Sequence, residues 1–538
     1  MKSNRILFPV MIFLLLVVRP IFAQITFTKS PSNDSKERWN IPEILMEKSA
    51  ILPANTPDLN SFNAIDLEFD QSSFTQFNQF GSYGYFNNGF TDRLKIGKYR
   101  FFFDDFYQNF SGYRNHSNIY GTDIFTGLQI NPSNKSRVEI LGYYLRGEAK
   151  LPGGLNLQEY ETDPMQANPR SLHRDEKRAV TRGRVDIRYV VTFGKKENNE
   201  LLIQGWGKFD DIIRTTEEYK MINKSGFGFI STFTNRTLIA DHLNVVTAGI
   251  DLAGVPIHTE YYENLAGSKS DMLERITSEN IKNNSVWLSD RFEIVKENLY
   301  INLTGEFARE NYHIEEEILP SRTDSKRFQA FTPKAELDYT PTEWLTTFAS
   351  YGSSFHGPTE KELESPVPQY LYNQDLKAQT SNDFEIGAKC NWKHDSATFF
   401  PKGKIELIIF NSQIHNELVS YEMFLEEFSR NAEKVNRFGV QLKGKVAFIR
   451  DLALDFSYSY SDYVYEINTP LIWVGNTQVR ADFSGKREPN TALHRYLIGL
   501  DYSHYFGAGW NMVAKMNYSR IDELWADDEN TATTDASG

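Results

Sequence analysis

The densest concentration of groups able to hold an acidic ligand is Arg170-Ser-Leu-His-Arg-Asp-Glu-Lys-Arg178. A guanidinium presents a planar fork of donors that pairs bidentately with a carboxylate. Arg170, His173, Arg174 and Arg178 are therefore the candidate substrate-binding residues. Asp175 and Glu176 sit in the same stretch and can neutralise it as an ordinary solvated loop, so both readings stand. Acidic runs at Asp210-Asp211, Glu217-Glu218 and Glu315-Glu-Glu317 carry oxygen ligands of the kind divalent cations take, but read more simply as solvated loop surface. Gly226-Phe-Gly228 lies inside a strand pattern and predicts a bend or a close approach, not a phosphate loop, because no helix pattern follows it. His394-Asp395 falls in a predicted turn and carries no assigned role. The sequence holds no HExxH, no paired CxxC and no GxSxG. No catalytic residue, metal site or cofactor is expected, and the chain does not read as an enzyme.

The elements that must position these groups are strands. From about residue 64 onward, extended segments alternate with period 2, as in Ile405-Glu-Leu-Ile-Ile-Phe-Asn-Ser-Gln-Ile414 and Leu452-Ala-Leu-Asp-Phe-Ser-Tyr-Ser-Tyr-Ser461. No comparable stretch carries a 3.6-residue period. The connections sort into two alternating classes. Short ones include Asn131-Pro-Ser-Asn-Lys135, Lys296-Glu-Asn298 and Phe506-Gly-Ala-Gly509; long polar ones cover residues 150–181, 254–283, 357–380 and 466–490. Tight turns at one end and long loops at the other are what a transmembrane barrel predicts. The spacing gives roughly nineteen strands.

Composition and the N-terminus agree with export to a membrane. Lys2 and Arg5 precede an apolar run ending at Val18, followed by Arg19-Pro-Ile-Phe-Ala23, which predicts a signal peptide over residues 1–23. The apolar run, about a dozen residues, is too short to span a bilayer as a helix, which takes about 20. Charges or amides interrupt every later apolar stretch, so helical spanning is excluded. A barrel escapes that test, because each strand needs only about 10 residues of alternating character. The lone Cys390 excludes a disulfide-stapled scaffold. The net charge of −13, more acidic still once the leader's cations are removed, excludes nucleic acid as a partner. Aromatic residues make up 14% of the chain, and barrels place such residues in interfacial girdles.

Six segments occur in the order found in one receptor family. They are Ser111-Gly-Tyr-Arg-Asn-His-Ser117, Leu151-Pro-Gly-Gly with Asp163-Pro-Met-Gln-Ala-Asn-Pro169, Phe331-Thr-Pro-Lys-Ala-Glu-Leu-Asp-Tyr339, Phe348-Ala-Ser-Tyr through Glu362-Leu363, Asn431-Ala-Glu-Lys-Val-Asn-Arg-Phe-Gly-Val-Gln-Leu442, and Arg487-Glu-Pro-Asn-Thr-Ala-Leu-His-Arg495. Together they resemble the TonB-dependent outer-membrane receptors, in particular the ferric-citrate and siderophore group, with Met165 and Gln441 departing from the usual Arg and Glu. The resemblance implies an all-β antiparallel barrel of about 22 strands over residues 64–538 in the outer membrane of a Gram-negative bacterium. It implies uptake of a ferric chelate, contact with outer-membrane lipid, and energy from the TonB complex. Two departures qualify it. Residues 24–63 stand where the family's plug domain would be, and the last strands of the barrel are not found. On that reading the plug is lacking, coupling to TonB is in doubt, and a passive porin-like channel or a nonfunctional truncated fragment are the alternatives. Gln24-Ile-Thr-Phe-Thr-Lys29 has the extended character of a coupling box.

Overall fold

One strand shows how the wall is built. In β7 (Lys177–Phe193), Arg182, Arg184, Asp186 and Arg188 are buried, whereas Val185, Ile187 and Tyr189 between them are 52%, 56% and 39% exposed. Charged groups face inward and apolar groups outward. That is the reverse of a water-soluble sheet, and it is the pattern of a barrel whose outer face meets lipid.

The computed structural model describes residues 22–29, 69 and 71–534, except 320, 321, 368, 395–398, 424, 425, 475, 476, 508 and 509. The predicted leader lies outside the described residues apart from Phe22 and Ala23, and Asp395 lies outside them as well. The strands are β1 (Phe22–Lys29), β2 (Ser73–Phe80), β3 (Phe86–Ile96), β4 (Tyr99–Phe110), β5 (Ile119–Ser133), β6 (Ser136–Lys150), β7, β8 (Asn199–Thr215), β9 (Glu218–Ile239), β10 (His242–Leu265) and β11 (Ser268–Val295). They continue as β12 (Leu299–Glu316), β13 (Thr323–Thr342), β14 (Leu345–His356), β15 (Gln379–Lys393), β16 (Lys402–Met423), β17 (Glu426–Ile449), β18 (Leu452–Ile467), β19 (Leu471–Val474), β20 (Thr477–Arg480), β21 (His494–Gly507) and β22 (Trp510–Ile521).

From β2 to β18 every strand pairs antiparallel with the next. β18 then pairs with β21, leaving β19 and β20 as a separate hairpin, and β1 pairs with β22. The result is one 20-stranded antiparallel sheet. Its nineteen strands from β2 onward agree with the count read from the sequence. No described helix is long and apolar enough to cross a membrane.

Three expectations need correction. Residues 254–283 were expected as a long loop, but β10 and β11 continue as a hairpin to a tight turn at Ala266 and Gly267, both with positive φ. At this end of the sheet the inner face packs on a loop through Ile257 and Ile281, so the polar pattern inverts. The connections therefore do not alternate strictly, since some loop-side connections are also tight hairpins. Second, the loop over residues 151–176 holds two short helices, α1 (Leu157–Thr162) and α2 (Pro169–His173). α1 has a full capping box: the Glu159 N–H donates to Asn156 Oδ1 and the Asn156 N–H donates to Glu159 Oε2, both at 2.9 Å. At α2, Asn168 Oδ1 accepts from the Arg170 N–H at 2.9 Å, with Pro169 at the first helical position. Third, the acidic runs are not all solvated. Asp210 is buried on β8 against Arg182, and Glu316 is buried against Arg322. Gly228 behaves as expected of a close approach: a Cβ there would stand 2.3 Å from the Trp206 ring.

Candidate functional site

The most concentrated charge in the interior is a row set by strand register. Arg178 of β7 stands opposite Arg214 of β8, Arg214 opposite Lys220 of β9, Lys220 opposite Tyr261 of β10, and Tyr261 opposite Arg275 of β11. Residues directly opposite in an antiparallel ladder share a face. Here that face is the luminal one, because four residues along β7 and β8 from Arg178 and Arg214, on the same side by strand alternation, stands the buried Arg182–Asp210 pair. Tyr261 is sandwiched by cations, with Arg275 Cζ 3.8 Å and Lys220 Nζ 5.0 Å from its ring centre.

Like charges directly opposite one another destabilise a sheet. Neither Arg178 nor Arg214 has an ion pair among the described residues. Burial first, then the neighbouring Arg214 and Arg182, push the Arg178 guanidinium below its ordinary pKa. The arrangement stores repulsion that an incoming anion would relieve.

Lys220 pairs with Glu218 of its own strand at 3.1 Å, and a loop inside the barrel adds further carboxylates. The connection over residues 357–378 folds into the lumen. Leu363, Leu371, Tyr372 and Leu376 pack there against Ile257, Ile281, Tyr312 and Ile314 of β10 to β12. Each such side chain contributes about 1.5–3 kcal/mol when fully buried. Asp324 of β13 pins the turn, accepting from the Leu371 N–H at 2.6 Å and the Tyr372 N–H at 3.0 Å. The far side is tied to β17, where Asn431 accepts from the Lys377 N–H at 2.8 Å and Asn373 donates to the Ser429 carbonyl at 3.1 Å. This loop brings Glu360 onto Lys224 and Glu364 to 3.8 Å from Lys220.

Glu279 lies under the loop on the part of β11 that stands above the apolar belt. Tyr372 Oη donates to its Oε1 at 2.5 Å, yet burial dominates and pushes its carboxyl up to about 7. Lys224 and Lys220 hold Glu360 and Glu364 below the ordinary value despite their burial. The two effects have opposite pH signs. Docking strength supplied by protonated Glu279 is complete below its ordinary 4.5 and is lost as pH rises through about 7. Docking strength supplied by Glu360 and Glu364 is present above 4.5 and is lost as pH falls through their depressed values. A nitroxide at Gln369→Cys, in a Cys390→Ala background, should therefore be most immobile near pH 5 and gain mobility on either side. Glu279→Gln should remove the alkaline limb; an unchanged alkaline limb would refute this account.

Of the four residues singled out from sequence, Arg178 alone enters the luminal row. Arg174 lies 3.1 Å from Glu217 and 3.8 Å from Glu176, the neutralised alternative. Arg170 and His173 are exposed on α2. Arg214, Lys220 and Arg275 were not singled out, because only the register across four ladders brings them beside Arg178. Arg114 was also missed. Its guanidinium donates to the carbonyls of Gln166 (3.0 Å), Gly153 (2.7 Å) and Pro152 (3.3 Å), binding the 111–118 connection to the 151–176 loop. Among the described residues no three His, Cys, Asp or Glu side chains converge as a metal site.

Comparison with known proteins places this architecture. Residues 167–538 match the family described as TonB dependent receptor-like, beta-barrel. Among solved structures, the chain is similar to the ferric citrate transporter FecA in its unliganded form (TM-score 0.66, 16% identity), covering 85% of this chain and 66% of that one. It is also similar to the siderophore receptor PiuA from Acinetobacter baumannii (TM-score 0.68, 11% identity, 88% and 74% covered). A third is the ferric yersiniabactin uptake receptor FyuA from Yersinia pestis (TM-score 0.64, 10% identity, 87% and 72% covered). The chain thus spans 66–74% of the length of these structures, just under two thirds of the first. At these identities the likeness is one of fold. Receptors of this family are outer-membrane transport proteins. The match over residues 167–538, on a wall that is charged inside and apolar outside, shows that the chain belongs to the TonB-dependent receptor β-barrel family.

Proposed function

We propose that this chain is the barrel of an outer-membrane receptor, in a Gram-negative bacterium, that takes up an anionic ferric chelate such as ferric citrate or a siderophore. The observation that carries the reading is the luminal row of Arg178, Arg214, Lys220 and Arg275. Two neighbouring guanidinium groups without carboxylate partners suit a ligand bearing several carboxylates. Arg170 and His173, exposed on α2, and Arg174 beside them would meet the ligand at the rim before it reaches the row. Energy would come from the TonB complex, as in the family. Residues 1–23 are proposed as the leader, 24–63 as an N-terminal extension and 64–538 as the barrel.

Charge-assisted hydrogen bonds contribute about 1.5–3 kcal/mol each, or roughly 10- to 100-fold in affinity. Arg178→Gln and Arg214→Gln should each weaken ferric citrate binding by that order, measured by calorimetry on the detergent-solubilised chain. Unchanged binding of ferric citrate and of siderophores by the double variant would sink the assignment. A passive channel is the second reading. It predicts a large steady current in planar bilayers, whereas the inward-folded 357–378 loop favours a low one.

A further inference from the structure

Several rings on the inner face lie flat over a glycine of the adjacent strand and carry one of the protein's own cations on top. The Phe102 ring covers Gly127; Arg93 Cζ lies 5.0 Å from the ring centre, and Arg93 Nη2 pairs with Asp104 at 2.9 Å. The Trp206 ring covers Gly228; Arg184 Cζ lies 4.8 Å away, held by Asp186, which stands directly opposite Trp206 on β7. The Phe348 ring covers Gly387; Lys389 Nζ lies 5.0 Å away and 3.3 Å from Glu406. Ring, cation and carboxylate form one repeated unit, in which the π face and the counter-charge hold the cation together.

Trp287 of β11 repeats this geometry without the cation. Its ring covers Gly249 of β10, and Glu306 of β12 stands directly opposite it, as Gly228 and Asp186 flank Trp206. Trp287 and Glu306 face the lumen, because their neighbours Val286, Leu288 and Phe307 are exposed on the outer face. The next row toward the rim on the luminal face is Asp251, Ser285, Ala308 and Ala330, short side chains that leave the ring open from above. Among the described residues no cation stands over Trp287, and neither Glu306 nor Asp251 has an ion pair. Arg184, whose charge reaches Asp251, is already committed to Asp186.

We propose that Trp287 and Glu306 bind an organic cation from the lumen, its guanidinium or ammonium group taking the place that Arg184 takes on Trp206 and Asp186. Asp251 adds a second negative charge on the rim side of the site. Indole is the strongest of the aromatic partners for a cation. This site lies apart from the row of Arg178, Arg214, Lys220 and Arg275, has the opposite charge preference, and does not rest on the iron ligand.

The test uses the full chain in dodecyl maltoside, with butylguanidinium as probe and binding read by titration calorimetry. Glu306→Gln should weaken binding at least about tenfold, through the loss of one charge-assisted contact. Trp287→Leu should weaken it by about 3- to 30-fold. Glu306 has no ion pair to lose, so Glu306→Gln should unfold in urea at the parent's midpoint, which separates loss of the site from loss of the fold. Asp241→Asn, at an exposed turn between β9 and β10, should bind as the parent does. Butylurea, which has the same shape without the charge, should not bind. Parent-like binding by Glu306→Gln, equal binding of butylurea, or an equal loss in Asp241→Asn would each overturn the proposal, the last by showing that the probe answers only to the chain's net charge of −13.

Discussion

Asp186→Ala is expected to destabilise the barrel by about 3–5 kcal/mol, because it removes a fully buried carboxylate that pairs with the buried Arg184 in a luminal network. Asp186 is fully buried and accepts from Arg184 Nε at 2.7 Å, Arg184 Nη2 at 2.8 Å and Gln204 Nε2 at 2.7 Å. Gln204 in turn accepts from Arg188 Nε at 3.2 Å, and Arg188 Nη1 reaches Glu139 Oε2 at 3.0 Å. The chain of contacts crosses β6, β7 and β8 on the luminal side, and Arg184 is also seated over the Trp206 ring at 4.8 Å. Removing one member of such a network uncovers the others. Urea unfolding from micelles should show the loss as a lowered midpoint, with Asp186→Asn intermediate because it keeps the shape and one acceptor. A double variant, Asp186→Ala with Arg184→Leu, should recover part of the loss, since it also removes the buried guanidinium that Asp186 pairs with. If Asp186→Ala unfolds at the parent's midpoint, the luminal network is not a stabilising element.

Tyr372→Ala is expected to release the inward loop while leaving the wall intact. The side chain is 1% exposed, fills the cluster formed with Ile257, Ile281 and Tyr312, and donates to Glu279. Deleting a buried aromatic costs about 3–5 kcal/mol. Here most of that falls on the docked state of residues 357–378, because the ladders of β14 and β15 do not depend on Tyr372. Local opening governs proteolysis when reclosing is fast. Trypsin cleavage after Lys361 or Lys377 should therefore speed up by about 100- to 1,000-fold, with the global unfolding midpoint little changed. Tyr372→Phe keeps the ring and loses the hydrogen bond, so it should lie close to the parent. Parent-like cleavage of Tyr372→Ala would mean that the loop is held by its polar ties and leucines without the Tyr372 ring.

The wall was legible in the sequence because period 2 is a local property. Arg182, Arg184, Asp186 and Arg188 alternating with Val185, Ile187 and Tyr189 can be read without any partner strand. Six short segments also carried the family resemblance that the match over residues 167–538 supports. The luminal row was not legible. Arg178 and Arg275 are separated by most of a hundred positions, and only the register of four consecutive ladders places them together. The inward loop was hidden for a related reason: Leu363, Leu371, Tyr372 and Leu376 are scattered among Glu, Ser, Pro and Gln, which read as solvent-facing. Residues 254–283 failed because the polar pattern reverses where the inner face of the sheet packs on the loop. The capping box of α1 was present as Asn156 and Glu159, but a helix that short carries no periodic signal.

Glu360 and Glu364 also change what binding at this wall means. Lys224 and Lys220 already hold carboxylates belonging to the protein itself, tethered at both ends to neighbouring strands. An anion binding there, as proposed, would not fill an empty place; it would take part in an exchange against an internal competitor whose effective concentration the tether fixes. The apparent affinity is then a difference between two attachments. On the proposed function, a weakly charged solute that cannot match two carboxylates would be refused by the loop before it is ever compared with another solute.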